Sequence, residues 1–275
     1  MKYVILDLEF NGTYNRKLKN FINEIIEFGA VKFDESLNII DKFSMLVKPV
    51  IGKKISSRVK ELTNITSLEL SEGHNFEYVL KEFENFMDSC ILGTWGITDI
   101  QVLMQNYEYY NGTVRIPFIT SFIDLQKYCQ ETLEYSETQQ LGLTTAANIL
   151  NINAASVEHH RALDDSILTF NCFKKLYNSN KILNYIENSN CNEFFEKLNF
   201  KVSYLKSVNH PLVDKSATLF KCTKCNSTAQ KTTRWKQTGN NLSAKFKCPN
   251  CCYEFTGKLQ LKLTYDGLII KKRIV

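Results

Sequence analysis

Five side chains at three separated places in the 275-residue chain could act together in catalysis: Asp7, Glu9, Asp99, His160 and Asp165. Asp7 and Glu9 lie two residues apart at the end of an apolar run, and alternate residues of a strand point to the same side of a sheet. Four carboxylates repel one another at close range unless cations neutralise them, so the set favours hard divalent metals. A histidine ordinarily titrates near neutral pH and could accept a proton beside such metals.

The elements predicted around these residues form an α/β sheet. Strand-like patterning in three consecutive segments predicts an antiparallel meander: 3–10, 23–33 and 39–47. The next predicted elements are helices over 57–62 and 76–88, a strand over 91–95 and a helix that begins after Asp99. Asp7, Glu9 and Asp99 would therefore lie where strands meet helices, which is where open α/β sheets bind ligands.

Residues 157–170 predict a loop that passes into a helix. Asp165, in the first turns of that helix, could face the same site as the loop histidine. The apolar side of the helix would face the core through Leu163, Ile167 and Phe170. His159 and Asp164 have the same spacing as His160 and Asp165, so spacing alone leaves the register open.

Four of the nine cysteines form two Cys-x-x-Cys pairs, which predict one structural Zn²⁺ site. The pairs are Cys222 with Cys225 and Cys248 with Cys251, and Cys252 could replace Cys251 as a ligand. Two disulfides are the alternative, which the lack of an export signal disfavours. The isolated cysteines are expected to be small buried hydrophobes: Cys90, Cys129, Cys172 and Cys191.

Alternating apolar and polar residues around these cysteines predict antiparallel strands in 231–236, 244–247 and 253–265, a pattern that resembles a zinc ribbon. So small a domain has little core, so the metal would supply folding energy and no catalysis. Basic residues beside Trp235 and Phe246 could bind phosphates and stack bases, and the candidate contacts are Arg234, Trp235 and Lys236. Docking of another protein is the alternative role.

Charge divides the chain into an acidic and a basic part. The net charge is +5, but residues 201–275 hold fifteen Lys and Arg against three acidic residues, a net +12 that leaves −7 on residues 1–200. A polyanion is the natural partner of the basic part, and a solubilising tail is the alternative. With 44% hydrophobic residues, the chain has ample material for a packed core.

The chain has no apolar run near the roughly 18–20 residues that a membrane span needs, so we expect no membrane-spanning segment. In the opening residues, MKYVILDLEF, Asp7 and Glu9 interrupt any apolar stretch of the length that a secretory signal requires. We therefore expect a cytoplasmic protein whose cysteines are reduced or bound to metal.

The carboxylate motifs resemble those of the DEDD superfamily of 3′-5′ exonucleases, also called DnaQ-like or RNase T-like, which share a ribonuclease H-like fold. The matching motifs are Asp7-Leu-Glu9, Asp99 after Trp95-Gly96, and His160-x₄-Asp165. The resemblance covers residues 1–178, and its details are similar to the ERI-type and KapD subgroup. Asn64 stands where related sequences usually carry Gly in a turn, and Asn tolerates the positive φ that such a turn needs.

The resemblance also favours one of the two registers. The family has small residues two positions after the histidine and directly after the aspartate, where Ala162 and Ser166 stand if His160 and Asp165 are the pair. The tyrosine variant of the superfamily would need a tyrosine at Arg161, so the histidine variant is implied.

A full catalytic scheme follows from the resemblance. It implies two Mg²⁺ or Mn²⁺ ions held by Asp7, Glu9, Asp99 and Asp165, with His160 as general base. Nucleoside 5′-monophosphates would be released from the 3′ end of single-stranded nucleic acid, with RNA favoured over DNA. Substrate contacts would come from Phe10, Leu62 and Ile65. The chain would comprise an exonuclease domain (1–178), a helical extension and linker (179–216) and a Cys₄ zinc ribbon (217–275).

Two other functional classes are compatible with the same motifs. One is an enzyme for very short or signalling oligonucleotides, with the ribbon as an assembly module. The other is a non-catalytic nucleic-acid-binding or partner-binding protein on the same fold. Loss of a metal ligand or of the histidine would mark the second class, and the sequence retains all five residues.

Overall fold

The computed structural model describes residues 1–15, 19–52, 54–136, 139–153 and 161–275. His159 and His160 lie outside the described residues. The chain divides into two compact units, Met1–Asn199 and Phe200–Val275. Among the described residues, no helix is both long enough and apolar enough to cross a membrane.

The first unit contains a mixed sheet with helices packed on it. Its strands are β1 (Lys2–Asn15), β2 (Asn20–Asp34), β3 (Ile39–Leu46), β4 (Ile91–Thr94), β5 (Ser121–Asp124) and β6 (Glu187–Asn188). Its helices are α1 (Ser57–Thr63), α2 (Ser67–Glu72), α3 (Phe76–Met87), α4 (Thr98–Asn111), α5 (Leu125–Thr132), α6 (Leu143–Ile149), α7 (Ala162–Leu176), α8 (Ser179–Ile182) and α9 (Asn192–Asn199). The predicted α/β class is confirmed.

The sheet runs in the order β3-β2-β1-β4-β5-β6. The first three strands form the predicted antiparallel meander, β4 is parallel to β1, and β5 is parallel to β4. The first two strands continue beyond the predicted segments into a long hairpin, with a register shift between Glu9 and Phe10. This bulge lies directly after the two carboxylates of β1, and bulges commonly occur beside active sites.

The central strand β1 is buried on both faces of the sheet, which explains its nearly continuous apolar run. Val4 and Leu6 belong to the core on the side of α3 and α4. Tyr3 and Ile5 belong to the core on the other side, with Phe173 of α7. Because strand side chains alternate, the carboxylates of β1 share the α7 side with Tyr3 and Ile5.

The first compact unit ends at Asn199, beyond the residue 178 that the sequence indicates. Strand β6 pairs with the edge strand β5, and Phe194 and Phe195 of α9 are buried in the core beside Phe122. Residues 179–199 therefore belong to the fold of the first unit, because the apolar face of α9 is buried there.

The second unit is built from antiparallel strands. They are β7 (Ser203–Tyr204), β8 (Phe220–Lys221), β9 (Thr228–Lys231), β10 (Lys236–Thr238), β11 (Asn241–Lys247), β12 (Glu254–Thr264) and β13 (Gly267–Ile274). The sheet order is β13-β12-β11-β9-β8, with β10 paired to β11 and β7 paired to β12. The predicted segments 244–247 and 253–265 are confirmed as strands.

The predicted strand over 231–236 is wrong, because only its two ends pair as strands. Between them, Thr232 donates its backbone N–H to the Lys245 carbonyl at 2.8 Å, and the Lys245 N–H donates to the Thr233 hydroxyl at 2.9 Å. The side-chain hydrogen bond replaces one step of the regular ladder. Residues 205–216 also pack on this sheet, with Val213 in its core, although the sequence favours a linker there.

Candidate active site

Asp7, Glu9 and Asp165 converge in the structure. Each has a carboxylate oxygen within 4.8 Å of a carboxylate oxygen of the others. Asp7 and Glu9 project from β1 toward α7, and Asp165 lies in the first turn of that helix. The neighbouring Asp164 is exposed. The structure therefore brings Asp165 to the site in place of Asp164.

Asp99 approaches the same site from α4. Strand β4 ends beside β1, with Ile5 opposite Gly93, and Gly96 makes the turn into the helix with φ of 80°. Asp99 is buried and accepts a hydrogen bond from the Leu8 backbone N–H at 3.3 Å. The Leu8 amide lies between the two β1 carboxylates, so this bond holds Asp99 next to them.

The pKa values of these carboxyls are displaced upward. Burial, and then the charges of Asp99, Asp165 and Glu9, raise the pKa of Asp7 well above its ordinary value. Burial, and then the charge of Asp165, raise the pKa of Glu9 to about 8. Burial raises the pKa of Asp99 to about 7, against the opposing hydrogen bond from Leu8. A crowded set of oxygen donors that is costly to ionise fits divalent cations, which remove this cost when bound.

A glycine on β2 allows helix α7 to approach the site, and the sequence motifs did not single it out. Gly29 is the cross-strand partner of Asp7, and a Cβ atom there would come within 2.0 Å of the Ala162 carbonyl carbon. The Ser166 hydroxyl donates to the Gly29 carbonyl at 2.7 Å. The small residues of α7 thus lie directly on the strand next to Asp7.

The buried face of α7 differs in part from the predicted one. Phe170 is buried, as expected, but Leu163 and Ile167 are only half-buried. Ala162 and Ser166 are fully buried instead, because only small side chains fit against Gly29.

A buried ion pair fixes the start of α7. Glu27, the cross-strand partner of Glu9, is 1% exposed and binds the Arg161 guanidinium with N–O distances of 2.6–3.1 Å. Glu27 also accepts the Ala162 backbone N–H at 3.2 Å. Arg161 lowers the pKa of Glu9 in opposition to the carboxylates. The sequence alone did not reveal a basic partner for the site, because Arg161 and Glu27 of β2 are far apart along the chain.

The three predicted substrate contacts have different environments. Phe10 is half-buried against the main core, and Leu62 is 46% exposed on α1. Ile65 is fully buried with Ile26 and Leu70, so its side chain stabilises the fold and does not reach the site surface. Asn64 ends α1 with φ of 56°, which is the turn geometry that Asn tolerates.

The four predicted zinc ligands form a second cluster in the second unit. Their Sγ atoms lie within 4.8 Å of one another, and the cluster contains Cys222, Cys225, Cys248 and Cys251. The closest pairs are 3.3 and 3.5 Å apart, far beyond a disulfide bond, so the disulfide alternative is not formed.

The backbone explains why Cys252 is outside this cluster. Cys252 is exposed with φ of 58°, and its N–H donates to the Cys248 carbonyl at 3.0 Å. Asn226 has φ of 57° and donates to the Cys222 carbonyl at 2.9 Å. The two turns are therefore equivalent, and Cys252 occupies the position that follows the second cysteine of its pair.

The predicted base-stacking role of Phe246 is wrong, because Phe246 is 2% exposed in the core of the second unit. Trp235 is half-buried and packs on Phe220 and Phe246, with ring centroids 6.3 and 5.9 Å apart. Arg234 and Lys236 are exposed. Only the two basic side chains of the predicted trio are fully available to a partner.

Residues 4–173 match the RNase_T family, described as Exonuclease. The match spans more than half of the chain, so the chain belongs to this exonuclease family. It is a 3′-5′ exonuclease with the DEDD carboxylates described above, and the histidine that distinguishes the DEDDh type lies outside the described residues.

Two curated relatives support this assignment. "Probable 3'-5' exonuclease KapD" of Bacillus subtilis (strain 168) is 32% identical over 181 residues, which cover 62% of this chain and 82% of that protein. The "DNA polymerase III subunit epsilon" of Aquifex aeolicus (strain VF5) is 31% identical over 176 residues, which cover 63% of this chain and 79% of that protein. The resemblance to the KapD subgroup and to DnaQ-like enzymes is confirmed.

Solved structures show the same fold. The "nuclease domain of 3'hExo, a DEDDh family member, bound to rAMP" has a TM-score of 0.54 and 24% identity, and the match covers 62% of this chain and 88% of that chain. The zinc-bound "E.coli ExoI-ssDNA complex" has a TM-score of 0.52 and 15% identity, covering 89% of this chain and 54% of that chain. The predicted ribonuclease H-like exonuclease fold is confirmed.

Proposed function

We propose that this enzyme removes single nucleotides from the 3′ end of single-stranded nucleic acid, with two divalent cations held by Asp7, Glu9, Asp99 and Asp165. The observation that carries the proposal is the convergence of Asp7, Glu9 and Asp165 beside Asp99, with raised pKa values for Asp7, Glu9 and Asp99. Such a set is unfavourable without cations and favourable with them. Mg²⁺ or Mn²⁺ suits the all-oxygen donor set.

Each group would have a distinct role in hydrolysis. The bound cations supply positive charge that makes a water molecule more acidic and neutralises the phosphodiester. His160 accepts the proton of the attacking water, since its ordinary pKa lies near neutral pH. We choose His160 over His159 because the motif pairs each histidine with the aspartate five residues later. Asp165, the partner of His160, lies beside Asp7 and Glu9, whereas Asp164, the partner of His159, is exposed. The products would be a nucleoside 5′-monophosphate and a strand shortened by one nucleotide.

The surroundings of the site fit this chemistry. Leu8 positions Asp99, and the ion pair of Arg161 with Glu27 positions the start of α7. Phe10 and the exposed Leu62 are the side chains that we propose contact the terminal nucleotide. Backbone near Glu9 is the proposed binding site for the 3′-hydroxyl.

RNA is the substrate that we favour over DNA. The support is the resemblance of its sequence motifs to the subgroup that contains the ERI-type RNA exonucleases and the KapD proteins. We also propose that Cys222, Cys225, Cys248 and Cys251 bind one structural Zn²⁺, since four thiolates leave no open coordination position for catalysis.

A substrate comparison tests the proposal. RNA and DNA strands of identical sequence, a duplex and a dinucleotide, each labelled at the 5′ end, would be incubated with the full-length protein and Mg²⁺ or Mn²⁺. We expect a ladder of products that shorten one nucleotide at a time, faster for single-stranded RNA than for DNA. Internal cleavage, or no hydrolysis with either metal, would contradict the proposal, and hydrolysis restricted to the dinucleotide would assign the enzyme to very short oligonucleotides.

A further inference from the structure

The register of the second unit places basic side chains side by side on one face of its sheet. Lys236 of β10 lies opposite Ser243 of β11, Ser243 lies opposite Lys258 of β12, and Lys258 lies opposite Arg273 of β13. Directly opposed residues of antiparallel strands point to the same side of a sheet. Three of the four side chains in this row across four strands are therefore cations on one surface.

Further cations extend the row along the strands. Lys245 lies two residues after Ser243, Lys262 lies four residues after Lys258, and Lys271 lies two residues before Arg273. Even spacing along a strand keeps each on the same side. We call these six residues the basic sheet face: Lys236, Lys245, Lys258, Lys262, Lys271 and Arg273.

The opposite side of the sheet is the core of the second unit. Ala244, Phe246, Leu259 and Leu261 are buried there, and they alternate along β11 and β12 with the residues of the basic sheet face. The alternation of buried apolar and outward polar residues is typical of a sheet with one face open to solvent.

The charges of the basic sheet face are not neutralised locally. Within the described part of the chain, none of the six residues takes part in an ion pair, and the nearby pair of Lys247 with Glu254, at 3.1 Å, lies at the end of the same strands. Lys236, Lys245, Lys271 and Arg273 are exposed, and Lys258 and Lys262 are half-buried by their neighbours on the sheet. Six unpaired cations on one surface attract a polyanion.

We propose that the basic sheet face binds the phosphate backbone of single-stranded nucleic acid. The row from Lys236 to Arg273 crosses three strand spacings, about 14 Å, which gives several adjacent phosphates a cationic partner. Lysine and arginine contacts to phosphate carry no sequence information, so binding is independent of base sequence. The choice of nucleic acid as the polyanion rests on the proposed function. The strand register determines which residues make these contacts. Trp235, which the sequence suggested as a contact, packs inward and is not part of the basic sheet face.

The test compares two triple variants of the full-length protein with equal loss of charge. The face variant carries Lys236→Gln, Lys258→Gln and Arg273→Gln. The control variant carries Lys201→Gln, Lys206→Gln and Lys215→Gln, three exposed cations of the same unit that lie outside its strands. Affinity for a fluorescent oligouridylate of about twenty nucleotides, long enough for several cationic contacts, would be measured by anisotropy over a range of salt concentrations without Mg²⁺ or Mn²⁺. Zinc content and thermal melting check that both variants are folded.

We expect the face variant to bind at least about tenfold more weakly near 0.1 M salt, and its log–log salt slope to fall by about 2, since each phosphate contact contributes about 0.7. The control variant should lose much less on both measures. Equal losses of affinity in the two variants would overturn the proposal, because net charge alone would then explain binding. Unchanged affinity in the face variant would also overturn it and would favour a protein partner for this surface. Because no turnover occurs, these outcomes are separate from the hydrolysis test.

Discussion

Gly29 and Ala162 are in direct backbone contact: a Cβ atom at Gly29 would lie 2.0 Å from the Ala162 carbonyl carbon. Gly29 is paired with Asp7 across the hairpin, and Ala162 begins the helix whose first turn carries Asp165. The missing side chain at residue 29 therefore sets the separation of the two elements that hold the carboxylates proposed to bind metal.

Replacing Gly29 with Ala should displace the start of α7 and misplace Asp165. We expect a loss of about 1–3 kcal/mol in the free energy of unfolding, typical of overpacking. Activity should fall by about 10²-fold, because a displacement of about 1 Å has effects of that size in catalysis. Steady-state hydrolysis and chemical denaturation measure the two effects.

Gly12→Ala is the matched control, since the nearest atom to a Cβ at this β1 position is 3.5 Å away. It should retain activity and stability. Wild-type activity in Gly29→Ala would contradict the role given to the close contact between β2 and α7.

The ion pair of Glu27 with Arg161 predicts strong coupling between the two residues. Arg161→Gln leaves Glu27 buried without its cation, and we expect a loss of about 3 kcal/mol in the free energy of unfolding. Glu27→Gln removes the buried charge and should cost less. In a double-mutant cycle, the double variant should lose less free energy of unfolding than the two single variants lose together. Additive effects would show that the pair does not hold α7 in place.

The carboxylate cluster predicts a stability that depends on both pH and metal. Without metal, the pKa values of Glu9 and Asp99 are raised to about 8 and about 7, so the folded state binds more protons than the unfolded state above about pH 4. The free energy of unfolding should therefore fall as pH rises from about 4 to about 8. Bound Mg²⁺ stabilises the ionised carboxylates, so it should raise the melting temperature more near pH 8 than near pH 5.5.

Melting curves with and without Mg²⁺ at the two pH values provide the measurement. Asp7→Asn, which removes one crowded charge, should melt at a higher temperature than the wild type near pH 8 without metal and should gain less from Mg²⁺. The same Mg²⁺ effect at both pH values would contradict the assignment of these carboxylates as ligands.

Much of the site could be predicted from sequence because its residues obey local rules. Asp7 and Glu9 are two apart on a strand, and Asp99 lies in the first turn of the helix that follows β4, so strand periodicity and sheet topology bring them to one edge. The spacing of the cysteine pairs predicts their cluster, and only the choice between Cys251 and Cys252 needed the structure.

The features that sequence reasoning missed depend on contacts between distant segments. Glu27 and Arg161 are 134 residues apart, and Gly29 has no side chain to attract attention. The inward packing of Phe246 follows from its position on β11, where Ala244 and Phe246 lie on the buried face. The unit boundary at Asn199 depends on where the apolar face of α9 packs. Periodicity in the sequence shows that α9 has an apolar face, but it does not show which part of the protein covers that face.

Replacing His160 with Ala should slow hydrolysis by about 10²–10⁴-fold at neutral pH, the usual contribution of a general base. The Mg²⁺-dependent rise in melting temperature should persist, since His160 is not among the proposed ligands. His159→Ala is the control and should stay near the wild-type rate. A larger loss in His159→Ala would show that the chosen histidine is the wrong one.

The central claim is that Asp165, together with Asp7 and Glu9, holds the metals for hydrolysis from the 3′ end. The most direct measurement compares Asp165→Asn with Asp164→Asn, which changes the exposed neighbour by the same chemistry, on a single-stranded RNA labelled at its 5′ end in Mg²⁺. We predict that Asp164→Asn shortens the strand stepwise near the wild-type rate and that Asp165→Asn retains less than a tenth of it. An Asp165→Asn variant that keeps more than a tenth of the wild-type rate would contradict the assignment. So would an Asp164→Asn variant whose rate falls further than that of Asp165→Asn.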